Sequence, residues 1–186
     1  IRSNISVGQI QYKPEGFLAA VERFVVNVKG KQTHGSRPWS GVDPIYISAK
    51  IIDGYQSIIS RESNLLIEPA VITVGKITSG IRFNIIPESA QMIGTIRTLD
   101  ESMKQTIIKR MHEMVPKIAA AYGGSAEVSI KESAALTYND PSLTQIAVES
   151  LEKALAENDI SILLLGSGHK ETEARLANIN NKNYNS

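Results

Sequence analysis

Two polar segments of this chain hold the side chains best suited to chemistry. The first is Gly30-Lys31-Gln32-Thr33-His34-Gly35-Ser36-Arg37-Pro38-Trp39-Ser40-Gly41-Val42-Asp43-Pro44. The second runs from Gly80-Ile81-Arg82-Phe83-Asn84-Ile85-Ile86-Pro87-Glu88 to Gly94-Thr95-Ile96-Arg97-Thr98. The two segments are expected to sit close together in the fold. They set a His, an Asn and an Arg beside turn-forming Gly and Pro, a donor set suited to an anionic or carbonyl-bearing ligand. His34 lies in a Gly-rich loop between a strand and a helix, free to act as donor, acid or ligand. The plainer alternative is an exposed His that stabilises a turn. Asn84 sits among Phe83, Ile85 and Ile86, where a buried amide needs a hydrogen-bond partner or turns back on its own backbone. Arg97 lies near a strand end, on the face shared with Ile93 and Thr95. It is either a bidentate clamp on a carboxylate, the geometry for which guanidinium is suited, or a surface partner of Asp100 or Glu101. Arg82 is a weaker candidate for the same clamp.

A metal centre is not expected in this chain. Zinc needs three or four convergent ligands, and the neighbours of His34 offer none. His112 falls between the apolar positions of a helix and is most simply solvated. His169 follows a Gly-Ser-Gly turn and gives no signal. There is no Cys, which excludes disulfides and thiolate zinc sites.

The elements that must position these residues follow from periodicity. Ala20 to Lys29 alternates and predicts a strand. Gly30 to Gly41 reads as loop. Asp43-Pro44 is a helix start, Asp as cap and Pro at the first helical position. An apolar stripe of Ile45, Ala49, Ile52, Tyr55 and Ile59 carries that helix to about Arg61. Val71 to Thr78 and Ala90 to Thr98 predict two more strands. Asp100 caps a second helix with the stripe Met103, Ile107, Met111, Met114, Ile118 and Tyr122; Pro116 should kink it and Gly123-Gly124 should end it. Ala126 to Ile130 predicts a short fourth strand. The order β-α-β-β-α-β over residues 20–133 implies an α+β, ferredoxin-like two-layer sandwich: a four-stranded antiparallel sheet with two helices on one face. The bare sheet face must be solvated or covered.

Outside that domain the pattern changes. Residues 1–19 are mixed. From residue 134 the chain holds a third helix after Asn139-Asp140-Pro141, with Leu143, Ala147, Leu151 and Leu155 on one side. An apolar strand, Ile160 to Leu165, follows with no partner in the domain 20–133, and then an Asn-rich tail. The chain has 186 residues, 42% hydrophobic and 21% charged, with net charge +1. That balance implies no general attraction to nucleic acid or to an anionic membrane. No apolar run is long enough to cross a membrane as a helix. The compartment is not legible, a soluble cytoplasmic setting being slightly favoured.

At these residues the chain resembles the lid, or dimerisation, domain of the M20 metallopeptidases and amidohydrolases. The resemblance rests on Val28-Lys29-Gly30, His34, Pro38 and Asp43-Pro44, on Val71-Ile72-Thr73-Val74-Gly75, on Asn84-Ile85-Ile86-Pro87-Glu88 and on Gly94-Thr95-Ile96-Arg97-Thr98. It extends over about residues 7–157 and is nearest to amidohydrolases that cut N-acyl amino acids. It implies a lid that pairs with its copy in a homodimer and covers a catalytic domain holding zinc or another divalent metal pair. By motif match, His34 would stabilise the oxyanion in the partner's site, and Asn84 and Arg97 would bind the substrate carboxylate or the scissile group of a small amide. Residues 1–19 resemble the approach from the catalytic domain; of the remaining segment, 134–186, residues 139–165 resemble the return toward it, and the polar tail from about Gly166 to Ser186 does not match the family pattern. The family's metal-binding segments are missing, so the chain reads as a fragment that would not hydrolyse alone. The other reading is a stand-alone ferredoxin-like module that binds a small carboxylate or has a regulatory role.

Overall fold

The computed structural model describes residues 9–155 and 161–164. The chain forms two compact units: one of residues 18–137, the other drawn from the segments before and after it. The strands of the larger unit are β3 (Ala20–Lys29), β4 (Thr33–His34), β5 (Ala70–Ser79), β6 (Ile85–Ile86), β7 (Ser89–Thr98) and β8 (Ser125–Ala134), with helices α1 (Pro44–Ser57) and α2 (Glu101–Ala121). The rest of the chain adds β1 (Gln9–Tyr12), β2 (Glu15–Leu18), β9 (Thr137–Asn139), α3 (Pro141–Leu155) and β10 (Ser161–Leu164).

Strand order in the main sheet is β5-β7-β3-β8, every pair antiparallel. The two central strands are joined only through the helices and their neighbours, which is the split βαβ arrangement that the element order implies. Alternation is strict along β3: Ala20, Glu22, Phe24, Val26 and Val28 are buried, while Arg23 and Lys29 are exposed. The buried face packs on Ile47, Ile51 and Tyr55 of α1 and on Ile107, Met111 and Val115 of α2. Phe24 meets Tyr55 edge to face, with ring centres 5.6 Å apart. Gly94 makes room for that pair. A Cβ there would stand 2.2 Å from the Phe24 ring and 2.1 Å from the Thr73 carbonyl oxygen.

The helix ends follow their sequence signals. Asp43 accepts hydrogen bonds from the amides of Ile45 (2.8 Å) and Tyr46 (3.2 Å), and Asp100 from the amide of Met103 (2.6 Å). Gly123 takes φ +78° after α2, and the amides of Gly123 and Gly124 bond to the carbonyls of Ala120 and Ala119. Helix α2 runs from Glu101 to Ala121 through Pro116, whose missing N–H forfeits one bond, to the His112 carbonyl.

Several expectations need correction. The Gly30–Gly41 segment is not all loop: it holds β4 and a one-turn helix, Pro38–Ser40, because Thr33 and His34 find partners in Ile86 and Ile85, far along the chain. Helix α1 stops at Ser57 and gives way to a wider, π-type turn over Ile58–Glu62, whose Glu62 pairs with Arg110 of α2. The buried stripe of α1 is Ile47, Ile51 and Tyr55, continued by Ile58 in the π-type turn; it shares Tyr55 with the expected stripe, Ile52 and Ile59 lie at its margin, and Ile45 is exposed. Both registers offer apolar residues, and packing against β3 selects between them. On α2 the buried line is Lys104, Ile107, Met111, Val115 and Ala119, with Met103, Met114 and Ile118 at its margin and Tyr122 exposed. On α3 the buried residue is Val148, while Leu143 is exposed. The apolar strand before residue 165 has no partner in the domain 20–133, as expected; β10 pairs in parallel with β1, which the mixed pattern of residues 1–19 did not announce as a strand. His169 and the polar tail lie outside the described residues.

Two buried polar groups stand out. Lys104 Nζ lies 3.5 Å from Glu22 Oε1, both side chains inside the sandwich, and it also reaches Glu101 (2.7 Å) and Glu132 (3.4 Å). The Glu101 carboxylate beside it is the main cause of a raised Lys104 pKa. The Tyr55 hydroxyl is buried with no hydrogen-bond partner among the described residues, and its pKa is driven far up by desolvation. Leaving a hydroxyl unpaired costs roughly 1–3 kcal/mol. Tyr55→Phe is therefore expected to keep or raise the melting temperature; a clear drop in thermal unfolding would show that the hydroxyl has a stabilising partner.

Candidate functional site

His34 and Asn84 are brought together. The loop after β3 is closed at its base by mutual backbone hydrogen bonds between Lys31 and Val42, at 2.9 and 3.0 Å. At its tip, β4 pairs with β6, setting His34 opposite Ile85. The Gly35 amide donates to the Asn84 carbonyl at 2.8 Å, and the Gly30 amide to Glu88 at 2.8 Å. Two loops separated by some fifty residues of sequence are thus stapled edge to edge.

The ring of His34 has a defined hydrogen-bond state. His34 opens a turn closed by the Arg37 amide on its own carbonyl, 2.8 Å away. Within that turn the Ser36 amide donates to Nδ1 at 3.1 Å, and the Ser36 hydroxyl lies 2.7 Å from the same nitrogen. A ring nitrogen that accepts from a backbone N–H carries no hydrogen, so in the neutral imidazole the hydrogen sits on Nε2. The side chain is exposed, and in its neutral form it presents an Nε2–H donor. Nδ1 thus stabilises the turn, and Nε2 is left to face outward.

Asn84 is exposed, not buried. The apolar run around it is not a core segment: Ile81 is 88% exposed and Phe83 fully so. Trp39, on the facing loop, is 79% exposed. Sequence reasoning missed these three. The signal was present, since large apolar residues in turns bounded by Gly have no core to enter, and exposed groups of this kind mark contact surfaces. Arg82 is exposed in the same turn.

Arg97 is elsewhere. It faces away from the helices, with Val71 and Val21 beside it on β5 and β3. It makes no ion pair with Asp100 or Glu101. The His34 loop leaves the sheet at Lys29, opposite Ser89, whereas Arg97 lies eight residues further along β7. At about 3.3 Å per residue the two sites are separated by roughly 25 Å of strand. One copy of the chain cannot close His34, Asn84 and Arg97 on a single small ligand. Among the described residues no three His, Asp or Glu side chains converge to hold a metal ion, so a metal centre would need ligands from elsewhere.

Residues 21–123 match the family model for the peptidase dimerisation domain of M20. The chain belongs to the M20 peptidase family. Among its relatives, the N-acetyl-L-cysteine deacetylase of Bacillus subtilis (strain 168) is 33% identical over 153 residues, 82% of this chain and 36% of the relative. The N-acyl-L-amino acid amidohydrolase of Geobacillus stearothermophilus is 36% identical over 118 residues, 63% of this chain and 31% of that protein. In structure the chain is similar to the Bacillus subtilis protein YXEP, described as a dinuclear metal-binding peptidase from the M20 family. The TM-score is 0.67 and the identity 27%, covering 88% of this chain and 38% of that one. This M20 chain therefore spans about a third of the length of the curated relatives it matches. The matched residues fall within the larger unit and include His34, Asn84 and Arg97. No helix among the described residues is long and apolar enough to cross a membrane.

Proposed function

We propose that this chain is the lid and dimerisation domain of a metal-dependent amidohydrolase that cuts the amide bond of N-acyl amino acids or related small amides, and that it works as a homodimer. The observation that carries the reading is the state of His34. Its Nδ1 is occupied by the Ser36 amide, so in the neutral ring Nε2–H is the donor, on an exposed side chain at the tip of a stapled loop. Such a donor suits the negative charge that grows on a carbonyl oxygen as water attacks an amide. Among the described residues, no carboxylate bonds its ring to orient it as a general base. Asn84, on the adjoining loop, supplies an amide for the same group, and Arg97 supplies a carboxylate clamp. Metal-activated water, where the family's metal pair supplies it, belongs to a part of the protein beyond these residues. These residues bind and orient the substrate and stabilise charge.

The separation of Arg97 from His34 favours a two-fold arrangement. If all three residues touch substrate, the His34 loop of one subunit serves its partner's site while Arg97 serves another. Exposed Trp39, Ile81 and Phe83 give that loop an apolar collar for insertion into a neighbouring surface. The sheet also has an edge suited to pairing. The outer strand β8 carries three charges, Glu127, Lys131 and Glu132, whereas the other outer strand, β5, carries Lys76 and a bulge but exposes the apolar Val71 and Ile77. We assign the self-pairing edge to β5.

The test is direct. Purified full-length protein, metal-loaded and metal-stripped, is assayed on a panel of N-acetyl amino acids, and its mass is followed by light scattering. Metal-dependent release of acetate from a dimer is the expected outcome. Absence of hydrolysis across the panel with each common divalent metal would overturn the reading in favour of a carboxylate-binding module.

A further inference from the structure

The open face of the main sheet is much more basic than the chain as a whole. Residues paired across antiparallel strands share a face, so the register sorts every side chain. One row on the open side reads Thr73, Thr95, Arg23, Lys131 across β5, β7, β3 and β8. The next toward the His34 loop reads Lys76, Ile93, Val25, Ser129, and the one after it Thr78, Gln91, Asn27, Glu127. Lys29 closes one end and Arg97 stands near the other. The face therefore holds Arg23, Lys29, Lys76, Arg97 and Lys131, all exposed, against the single carboxylate of Glu127. The whole chain has a net charge of only +1.

Two features show that this is not a neutral outcome of strand alternation. Arg23 and Lys131 stand directly opposite one another, an arrangement that costs stability in a sheet, and no carboxylate in their row relieves it. None of the five cations forms an ion pair with a described residue. Second, β5 is bulged at Gly75. Before the bulge Ile72 and Val74 face the helices, and Lys76 would follow them by alternation. The bulge adds one residue and turns Lys76 to the open side, opposite Ile93. Bulges commonly re-aim a side chain beside a functional site. There Lys76 lines a groove with Lys29, Thr78, Ser79 and the hydrogen-bonded pair Asn27 and Gln91, whose side chains are 2.9 Å apart. The face has no aromatic ring on which a nucleobase could stack.

From this geometry we infer that the open sheet face is an electrostatic collector that selects substrates with more than one negative charge, with Arg23, Lys76 and Lys131 as specificity-determining residues. The inference rests on the amidohydrolase reading and deepens it: the candidate donors lie at the two ends of this face, so a carboxylate substrate drawn to the face is delivered to one of them. Steering by a surface of one sign raises encounter rates by about 10–10³-fold and fades as salt screens it. The gain grows with ligand charge, so a dianionic acyl amino acid benefits more than a monoanionic one.

N-Acetylglutamate and N-acetylglutamine test this, being nearly equal in shape and different by one charge. In the full-length enzyme, kcat/KM for N-acetylglutamate is expected to fall about tenfold between about 0.01 M and about 0.3 M salt, and that for N-acetylglutamine only about threefold. The triple variant Arg23→Gln, Lys76→Gln, Lys131→Gln should lose most of both slopes and most of the preference, with the loss confined to kcat/KM. These side chains are exposed and two of them repel each other, so the variant should fold. A variant that keeps the wild-type salt slope and preference overturns the inference. If the full-length protein hydrolyses neither compound, the amidohydrolase reading fails, and the surface is judged by binding to this chain instead. N-Acetylglutamate at low salt should then shift the amide resonances of Asn27, Gln91, Ile93 and Thr95 in the wild type and not in the triple variant. No shift in the wild type would overturn the collector as well.

Discussion

Replacing His34 with alanine in the full-length enzyme is expected to lower kcat by about 10²–10³-fold, the usual effect of removing one donor to a developing oxyanion. KM and metal content should change little. The imidazole caps one turn by accepting from the Ser36 amide, but the β4–β6 pairing, the Lys31–Val42 bonds and the Gly35–Asn84 bond that hold the loop are made by the main chain. Removing the side chain removes the donor and leaves the loop. His34→Gln should recover part of the loss, because a carboxamide can offer an N–H from a similar distance but lacks the fixed orientation. Steady-state kinetics with metal analysis decide the matter. A variant with normal kcat would remove His34 from the chemistry.

How much of this was legible in the sequence depends on the range of the interactions involved. Asp43, Asp100 and Gly123 act within one turn of chain, and their roles as caps and stop are visible as residue types. The alternation from Ala20 to Lys29 is similarly local, and four such strands with two helices were enough for the ferredoxin-like order. Long-range choices were not visible. The pairing of β1 with β10 joins residues some 150 positions apart. The burial of Lys104 depends on Glu22, which reaches it from the opposite layer, so an apolar stripe drawn without it misplaces the helix face by one position. The rotated face of α1 has the same origin: Ile45 and Ile47 are equally apolar, and only packing on the sheet chooses.

The site divides along the same line. His34 and Asn84 were recognisable by type and by Gly and Pro neighbours, and their adjacency was expected. That Arg97 lies at the far end of β7 could not be read without the register that pairs Lys29 with Ser89. The charged open face was hidden for a related reason. Its cations are scattered through sequence as Arg23, Lys29, Lys76, Arg97 and Lys131, and only the register and the bulge at Gly75 collect them.

The separation of His34 from Arg97 leads to a test with an all-or-none readout. Consider a dimer in which one subunit carries His34→Ala and the other Arg97→Ala, isolated by two different affinity tags. Suppose that each site uses its own subunit's Arg97 and its partner's His34. The site of the His34→Ala subunit then has an intact Arg97 and borrows an intact His34, so it is whole. The other site lacks both. Such a dimer should show about half the wild-type kcat with an unchanged KM, since one site in two survives and the other falls by the roughly 10²–10³-fold loss of its donor. If instead both residues serve the same site from the same subunit, own or partner, then one site lacks His34 and the other lacks Arg97. No site is whole, and the mixed dimer behaves as the average of its two parents, with low kcat and raised KM. The parents are both poor enzymes, so recovery of half the activity from their combination has no other source than a shared site. Averaged behaviour would mean that the strand separating the two groups is bridged in some other way and that the two-fold assignment is wrong.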